Sequence, residues 1–233
     1  MDIFWSTIAG YNSSTWFLQL IIVIAGIFLT GLLLKKPTPR VKLAMKLYLL
    51  FLYLWIAVVY YYIYCAERSY NGTMALFWGT MAVIWIWDTV TGYTTLERSR
   101  KYDVLAYILL AMPFVYPLLS LVRGLTFPGI TSPVMPCSVV VFTIGLLLLF
   151  ARKVNMFLVL FLCHWSLIGL SKTYFFHIPE DFLLASASVP ALYLFFKEYF
   201  LNNLHKDTEP KAKLINLLLV SVCIALGVLL TVT

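Results

Sequence analysis

Charge is scarce in this sequence: 12% of the 233 residues are Asp, Glu, Lys or Arg, whereas 62% are apolar. A soluble domain has about 25% charged and about 45–50% apolar residues, so the composition excludes a water-soluble globule. The first residues include an acid and no basic stretch before the first apolar run. They therefore do not resemble a cleaved signal peptide.

Motifs of the common enzyme and metal classes are also absent. The four cysteines include no C-x-x-C pair, and the sequence has no phosphate-binding glycine loop, nucleophile elbow or H-E-x-x-H. Paired histidines that could ligate haem are missing as well. We therefore expect no metal and no cofactor, and an enzyme is not the favoured class.

Long apolar runs occupy most of the chain. A helix crosses the hydrocarbon core with about 20 mostly apolar residues, because its backbone groups are paired within the segment. Eight stretches meet that length and predict an all-α fold, a polytopic bundle of eight transmembrane helices. They are residues 16–34, 45–65, 73–92, 104–122, 133–151, 154–171, 181–200 and 214–232. Pro113 and Pro117 predict a kink in the fourth.

Basic residues are divided unequally between the two sets of predicted loops. Fourteen Lys and Arg fall on one side, and only Arg68, Arg123 and Lys172 on the other. The positive-inside rule makes the first side cytoplasmic, which predicts a multi-pass inner-membrane protein with both termini outside the cytoplasm. The net charge of +7 then reflects topology and attraction to anionic inner-leaflet lipid, so nucleic acid is not an expected partner.

The two halves of the chain share a weak echo. The run 28–34 (FLTGLLL) resembles 142–148 (FTIGLLL), which suggests a duplicated four-helix unit with halves 1–123 and 124–233. Two such halves would share one orientation, a parallel 4+4 repeat of the kind that several transporters use. The alternative is that Leu-rich helices and regular loops produce the echo by chance.

Two ionisable side chains fall at membrane depth, where such groups are functional hypotheses by default. His164, in the sixth span, is a candidate for proton relay or substrate binding, or else a neutral imidazole bonded to a neighbouring helix. Asp88, in the last turns of the third span, is a candidate coupling carboxylate. It is equally a candidate structural partner for Arg98 or Lys101.

Further candidates lie on the predicted outer side. Glu180 and Asp181 follow a proline at the start of the seventh span, where acids favour a helix N-terminus. With Tyr61 and Cys137 they are also candidates for an acid–base pocket, provided that they converge. Cys137 and Cys65 both fall at the outer boundary, and a disulfide between them is one option in an oxidising compartment.

The loop at residues 123–137 is the most distinctive non-helical stretch, with three prolines and two glycines. A segment of this kind either dips into the protein to line a cavity or forms a stiff lid over it.

Several stretches form a recognisable pattern with this loop. They are Tyr116-Pro117, Pro128, Val134-Met-Pro-Cys137 and the 142–148 run, with Tyr11-Asn12, Trp16, Val58-Val-Tyr60, Ser166-Leu-Ile-Gly169 and Ile178-Pro-Glu-Asp181. The pattern resembles a prokaryotic multi-pass family catalogued as domain of unknown function 6064. The resemblance implies an integral membrane protein from a bacterium or archaeon, and it supplies no activity.

The chain departs from that family pattern at two positions. Tyr61 stands where the family has His, and Ser138 stands where it has Pro, so a metal- or proton-binding role at these positions is not implied here. The eighth span, 214–232, extends beyond the usual family length.

Three functional hypotheses follow from the sequence. The leading one is a small transporter or permease for a small molecule or ion, because extramembrane domains are nearly absent and Asp88 and His164 lie at depth. A structural or accessory subunit docked to a membrane partner is the second. The third is an intramembrane enzyme acting on a lipid or quinone.

Overall fold

The computed structural model describes residues 2–98 and 100–176, together with residues 184, 191 and 193–197. This part of the chain is mostly helical, in agreement with the predicted fold class. The chain divides into two compact units, Met1–Asn155 and Met156–Thr233.

Helices build the first unit, and a short antiparallel sheet joins two of their ends. The helices are α1 (Asp2–Lys35), α2 (Pro39–Trp55) with a π-helical continuation (Ile56–Tyr64), α3 (Asn71–Thr91), α4 (Asp103–Val122) and α5 (Pro136–Phe150). The strands are β1 (Thr95–Leu96) and β2 (Ala151–Lys153). In the second unit, α6 covers Met156–Phe176.

Local sequence signals set several helix boundaries. The Thr38 hydroxyl accepts a hydrogen bond from the Val41 amide and caps α2, and Pro39 follows at the first helical position, where its missing N–H costs nothing. Gly92 ends α3 with a left-handed φ of 64°, which glycine adopts without strain. α4 runs through Pro113 and Pro117 as one helix rather than as a re-entrant loop.

Four helices of the first unit are long and apolar enough to cross a membrane, and they coincide with the first four predicted spans. They are Ile3–Lys35, Pro39–Tyr64, Asn71–Thr91 and Asp103–Val122. Shorter apolar helices, Pro136–Phe150 and Met156–Gly169, occupy the fifth and sixth predicted positions. Of the seventh predicted span only residues 184, 191 and 193–197 are described, and the eighth lies outside the described residues.

The expectation of eight spans in a 4+4 repeat gains no support from this arrangement. Four spans are confirmed by length and composition. α4 and α5, which the repeat would assign to different halves, pack closely against each other within one compact unit. The echo between 28–34 and 142–148 is therefore also explained by Leu-rich helix composition alone. The halves 1–123 and 124–233 stay a prediction.

One end of the first unit gathers most of its basic residues, and we call it the basic end. Here α1 ends at Lys35, α2 begins, and β1 pairs with β2 through Thr95 opposite Lys153 and Leu96 opposite Ala151. The sheet ties the segment after α3 to the end of α5. The opposite end carries the proline-rich loop 123–135 and is called the loop end.

α5 is the core helix of the first unit. Thirteen of its fifteen residues are buried, as expected for a helix that is apolar all round. Gly145 lets α4 approach closely: a Cβ there would lie 2.9 Å from the Leu109 Cβ and 3.0 Å from the Ala106 carbonyl oxygen. Small residues at close contacts are a general device of helix packing in membranes.

We predict that Gly145→Ala destabilises the first unit by about 1–3 kcal/mol, because the added methyl group pushes α4 away from α5. Thermal unfolding in detergent, followed by tryptophan fluorescence, measures the change. Gly79→Ala in α3 is the matched control, since a Cβ there meets nothing within 4 Å, and it should be neutral or slightly stabilising. Equal effects of the two substitutions would contradict the close α4–α5 contact.

Candidate functional site

An apolar groove lies between α1 and α2 on one side and α4 and α5 on the other. Its volume is about 310 Å³. α1 packs on α2, while α4 packs on α5, and the groove follows the gap between the two pairs. It is lined by Val23, Gly26, Ile27, Thr30, Gly31, Leu34, Tyr48, Leu52, Leu110, Pro113, Phe114, Pro133, Val134, Val139 and Phe142.

One face of α1 forms the long wall of the groove. Its lining residues recur every three or four positions from Val23 to Leu34, the spacing of one helix face. This stretch corresponds to about 16 Å at a rise of about 1.5 Å per residue. The groove therefore runs along the helix axis, from near the basic end toward the loop end.

The hydroxyl groups in the groove wall donate hydrogen bonds to backbone carbonyls of α1. Tyr48 Oη donates to the Ile22 carbonyl at 2.9 Å, and Thr30 Oγ1 donates to the Gly26 carbonyl at 2.7 Å. The Tyr48 hydroxyl fits against α1 because residue 26 is a glycine. A Cβ at residue 26 would collide with this hydroxyl. Two polar side chains thus line the groove and still leave its surface apolar.

The proline-rich loop closes the groove at the loop end. Pro133 and Val134 are lining residues, and Val134 is buried. The loop thus dips into the protein to line a cavity, one of the two options that the sequence left open. On the α4 side, Ser120 Oγ lies 2.9 Å from Thr131 Oγ1 and accepts from the Thr131 amide at 3.2 Å.

A set of side chains from α1 and α2, which we call the loop anchor, holds this loop by its carbonyls. It consists of Tyr11, Asn12 and Trp55. Tyr11 Oη donates to the Val134 carbonyl at 2.7 Å and accepts from Trp55 Nε1 at 2.9 Å. Asn12 Nδ2 donates to the Pro128 carbonyl at 2.8 Å and to the Ile130 carbonyl at 2.7 Å.

The side-chain amide oxygen of Asn12 also has a hydrogen-bond partner. Asn12 Oδ1 accepts from Gln19 Nε2 at 3.2 Å, and Gln19 Nε2 also donates to Thr15 Oγ1 at 2.8 Å. Buried amide and carbonyl groups need such partners, since an unpaired one in an apolar environment is costly. The anchor thus pairs polar groups of α1 with carbonyls of the loop.

Tyr61 and Cys137 lie in an aromatic cluster at the loop end. The Tyr61 ring meets Tyr60 edge to face at 5.0 Å, and both tyrosines lie within electrostatic range of Cys65 and Cys137. These cysteines are thiols in the structure, so the disulfide considered from the sequence is not formed.

Arg68 lies beside this cluster and holds the start of α1. Its guanidinium donates to the Phe4 carbonyl at 2.8 Å and to Thr7 Oγ1 at 3.3 Å, and it stacks on the Phe4 ring at 4.5 Å. Burial disfavours the charged form of Arg68. The neighbouring side chains of Tyr60, Cys65 and Tyr61 favour that form more strongly, so the pKa of Arg68 is raised.

Asp88 forms a buried ion pair with Lys46 at the basic end. Lys46 Nζ donates to Asp88 Oδ2 at 2.9 Å, and Asp88 is fully buried. Asp88 Oδ1 accepts from the Thr94 amide at 3.0 Å and from the Thr94 hydroxyl at 2.6 Å. The Thr94 hydroxyl accepts in turn from the Asn155 amide at 3.1 Å.

This network joins α2, α3 and the segments that flank both strands. The structure gives Asp88 a structural partner, but that partner is Lys46 and not Arg98 or Lys101. Arg98 instead forms a two-pronged pair with Asp103, at 2.6 and 2.7 Å, and hydrogen bonding to this carboxylate raises the pKa of Arg98.

The remaining candidates are not brought into this site. His164 is a buried residue of α6, in the second unit. Glu180 and Asp181 lie outside the described residues, so their convergence with Tyr61 and Cys137 stays a prediction. Within the described parts of the chain, no three His, Cys, Asp or Glu side chains are grouped to hold a metal ion.

Two features of the site were missed from the sequence. The pairing of Lys46 with Asp88 is one of them, although a signal exists: the start of the second predicted span and the end of the third lie on the same predicted side of the membrane. The contact of Gly26 with Tyr48 has no local sequence signal, because it depends on how α1 and α2 are rotated against each other.

The fold defines a mostly helical protein with four helices that are long and apolar enough to cross a membrane. A family model described as Family of unknown function (DUF6064) matches residues 1–206, and the chain belongs to this family. The match ends before the eighth predicted span, in line with the extension that the resemblance implied. No curated protein and no solved structure matches the chain.

We predict that Asp88→Asn and Lys46→Met each destabilise the protein by about 3–5 kcal/mol, because each leaves one buried charge without its partner. The double variant should recover most of this loss, since neither charge remains. Thermal unfolding of the four proteins gives the coupling energy. Arg152→Gln, at the exposed pair with Glu97, should change stability little. Additive losses in the double variant would contradict a coupled pair.

Asn12→Ala tests the loop anchor. Removing the amide leaves the Pro128 and Ile130 carbonyls without their donor, and we expect a loss of about 1–3 kcal/mol with faster amide hydrogen exchange over residues 128–134. Ser13→Ala is the control, because the Ser13 hydroxyl bonds only to the Gly10 carbonyl of its own helix. Unchanged exchange in Asn12→Ala would show that the loop does not depend on this anchor.

Proposed function

We propose that this protein binds a single lipid-type hydrocarbon chain in the groove of its first unit. The observation that carries the proposal is the groove itself, which is apolar along its length and closed at one end by the proline-rich loop. Its volume of about 310 Å³ is at the lower end of the range for small-molecule sites, which suits one chain and not a bulky solute.

The length of the groove supports one chain from one leaflet. About 16 Å of α1 lines it, roughly half of the 30 Å thickness of a bilayer core. It begins at Leu34, near the basic end, and stops at Pro133 and Val134. A chain that enters from the basic-end leaflet would therefore meet the loop at about the bilayer midplane.

Selectivity for such a ligand has to arise from shape and from the ends of the groove. A hydrocarbon chain gains little hydrophobic free energy by leaving the bilayer, because lipid tails are as apolar as the groove wall. Close packing against a fixed surface is the remaining source of attraction along the chain. The Tyr48 and Thr30 hydroxyls, already bonded to α1, do not oppose an apolar occupant.

Transport of a polar solute, the leading hypothesis from the sequence, has weaker support. It predicts a polar cavity at membrane depth, whereas the groove and a second pocket between α1 and α2 are both apolar. Asp88, one of its two coupling candidates, is bonded to Lys46 and Thr94. Proton coupling through His164 stays a prediction, which proton-flux measurements on His164→Ala in liposomes would test.

We also propose that the basic end faces the cytoplasm of the cell, with the protein in the inner membrane. The support is the excess of Lys and Arg on that side of the predicted spans. The groove would then receive a chain from the inner leaflet.

Gly31→Phe is the test of the groove. A Cβ at Gly31 meets nothing within 4 Å, so the phenyl ring can fill the groove without a collision at its base. We expect the variant to fold and to retain one lipid fewer than the wild type when released from nanodiscs in native mass spectrometry. Spin-labelled lipid should also show a smaller immobilised fraction.

Gly79→Phe is the matched control for this experiment. Gly79 has the same open surroundings but lies on α3, away from the groove lining. It should keep the wild-type number of lipids. Equal retention by the wild type and Gly31→Phe would overturn the proposal.

A further inference from the structure

The groove face of α1 continues to a lysine at the basic end. Lys35 follows Gly31 by four residues, so it lies on the same face of the helix, one turn beyond it. It is the last residue of α1 and is exposed. The open end of the groove at Leu34 is therefore followed directly by a basic residue on the same helix face.

Lys35 differs from several other basic residues at this end. Lys46 is paired with Asp88, Arg98 with Asp103, and Arg152 lies 3.5 Å from Glu97. Lys35 makes no ion pair within the part of the chain that the structure describes. The sequence from 23 to 45 also contains four Lys and Arg and no Asp or Glu, so the segment at the mouth of the groove carries a net positive charge.

A negatively charged headgroup is the ligand chemistry that these two features share. The hydrocarbon chain gains little hydrophobic free energy by entering the groove, whereas a phosphate at the membrane surface is attracted by lysine in that position. A groove one leaflet deep that ends at a lysine matches the layout of a phospholipid, with its phosphate at the surface and its chain below.

We infer that the groove is a site for one anionic phospholipid from the leaflet at the basic end, with one of its two acyl chains along α1, the other in the bilayer, and its phosphate against Lys35. This inference rests on the proposed function and adds the headgroup class. The expected discrimination against a zwitterionic lipid with the same chains is roughly fivefold, the ratio that corresponds to one lysine at the membrane surface.

The test is lipid competition in nanodiscs that contain equal amounts of phosphatidylglycerol and phosphatidylcholine with identical chains. Native mass spectrometry of the released protein gives the ratio of the two retained lipids. The wild type should favour phosphatidylglycerol about fivefold. Lys35→Gln should reduce the ratio toward one, and Lys35→Arg should keep it, because the charge is preserved.

Lys153→Gln is the matched control, since it removes the same charge at the basic end from an exposed residue of β2, outside the groove lining. It should leave the ratio unchanged. An equal loss in Lys153→Gln and Lys35→Gln would overturn the inference, because diffuse surface charge would then explain the preference. A wild-type ratio of one would overturn it as well.

Gly31→Phe separates failure of this inference from failure of the proposed function. If that variant loses the retained lipid while Lys35→Gln keeps the wild-type ratio, the groove stands and the headgroup assignment is wrong. If Gly31→Phe retains as much lipid as the wild type, the groove itself is not the site, and the proposed function fails together with the inference.

Discussion

The Asp88 carboxylate is buried at one end of a bundle of apolar helices, and the arrangement of that end depends on how its charge is neutralised. Lys46 supplies the opposite charge from α2, and Thr94 supplies two donors from the segment after α3. Asn155 then bonds to Thr94. Because an unpaired buried charge costs several kcal/mol, the network fixes the positions of the segment before β1 and the segment after β2.

Buried polar groups at the loop end also need partners, although these groups are uncharged. Buried carbonyls of a non-helical loop need donors, and Asn12 and Tyr11 provide them from α1. Along the groove wall, Thr30 and Tyr48 bond to carbonyls of α1. Polar side chains in the first unit thus hold backbone in place, and the surface that they leave to the bilayer is apolar.

Composition was sufficient to predict the first four spans, because a long apolar run in lipid has few alternatives to a helix. Contacts between distant segments were not predictable in this way: Tyr11 and Val134 are 123 residues apart. Strands of two and three residues, β1 and β2, are too short for an alternating pattern. The predicted span count and repeat rest on hydropathy and spacing, which do not show which helices pack together. The predicted repeat assigns α4 and α5 to different halves, whereas these two helices pack against each other in one compact unit.

Several residues of the family pattern lie at the closed end of the groove. Tyr11 and Asn12 hold the loop, Pro128 supplies a carbonyl, and Val134 and Phe142 line the groove directly. The long wall from Val23 to Leu34 and the lysine after it lie outside that pattern. The family model nevertheless covers residues 1–206, so the closed end of the groove and its open end at Leu34 both lie within the matched part of the chain.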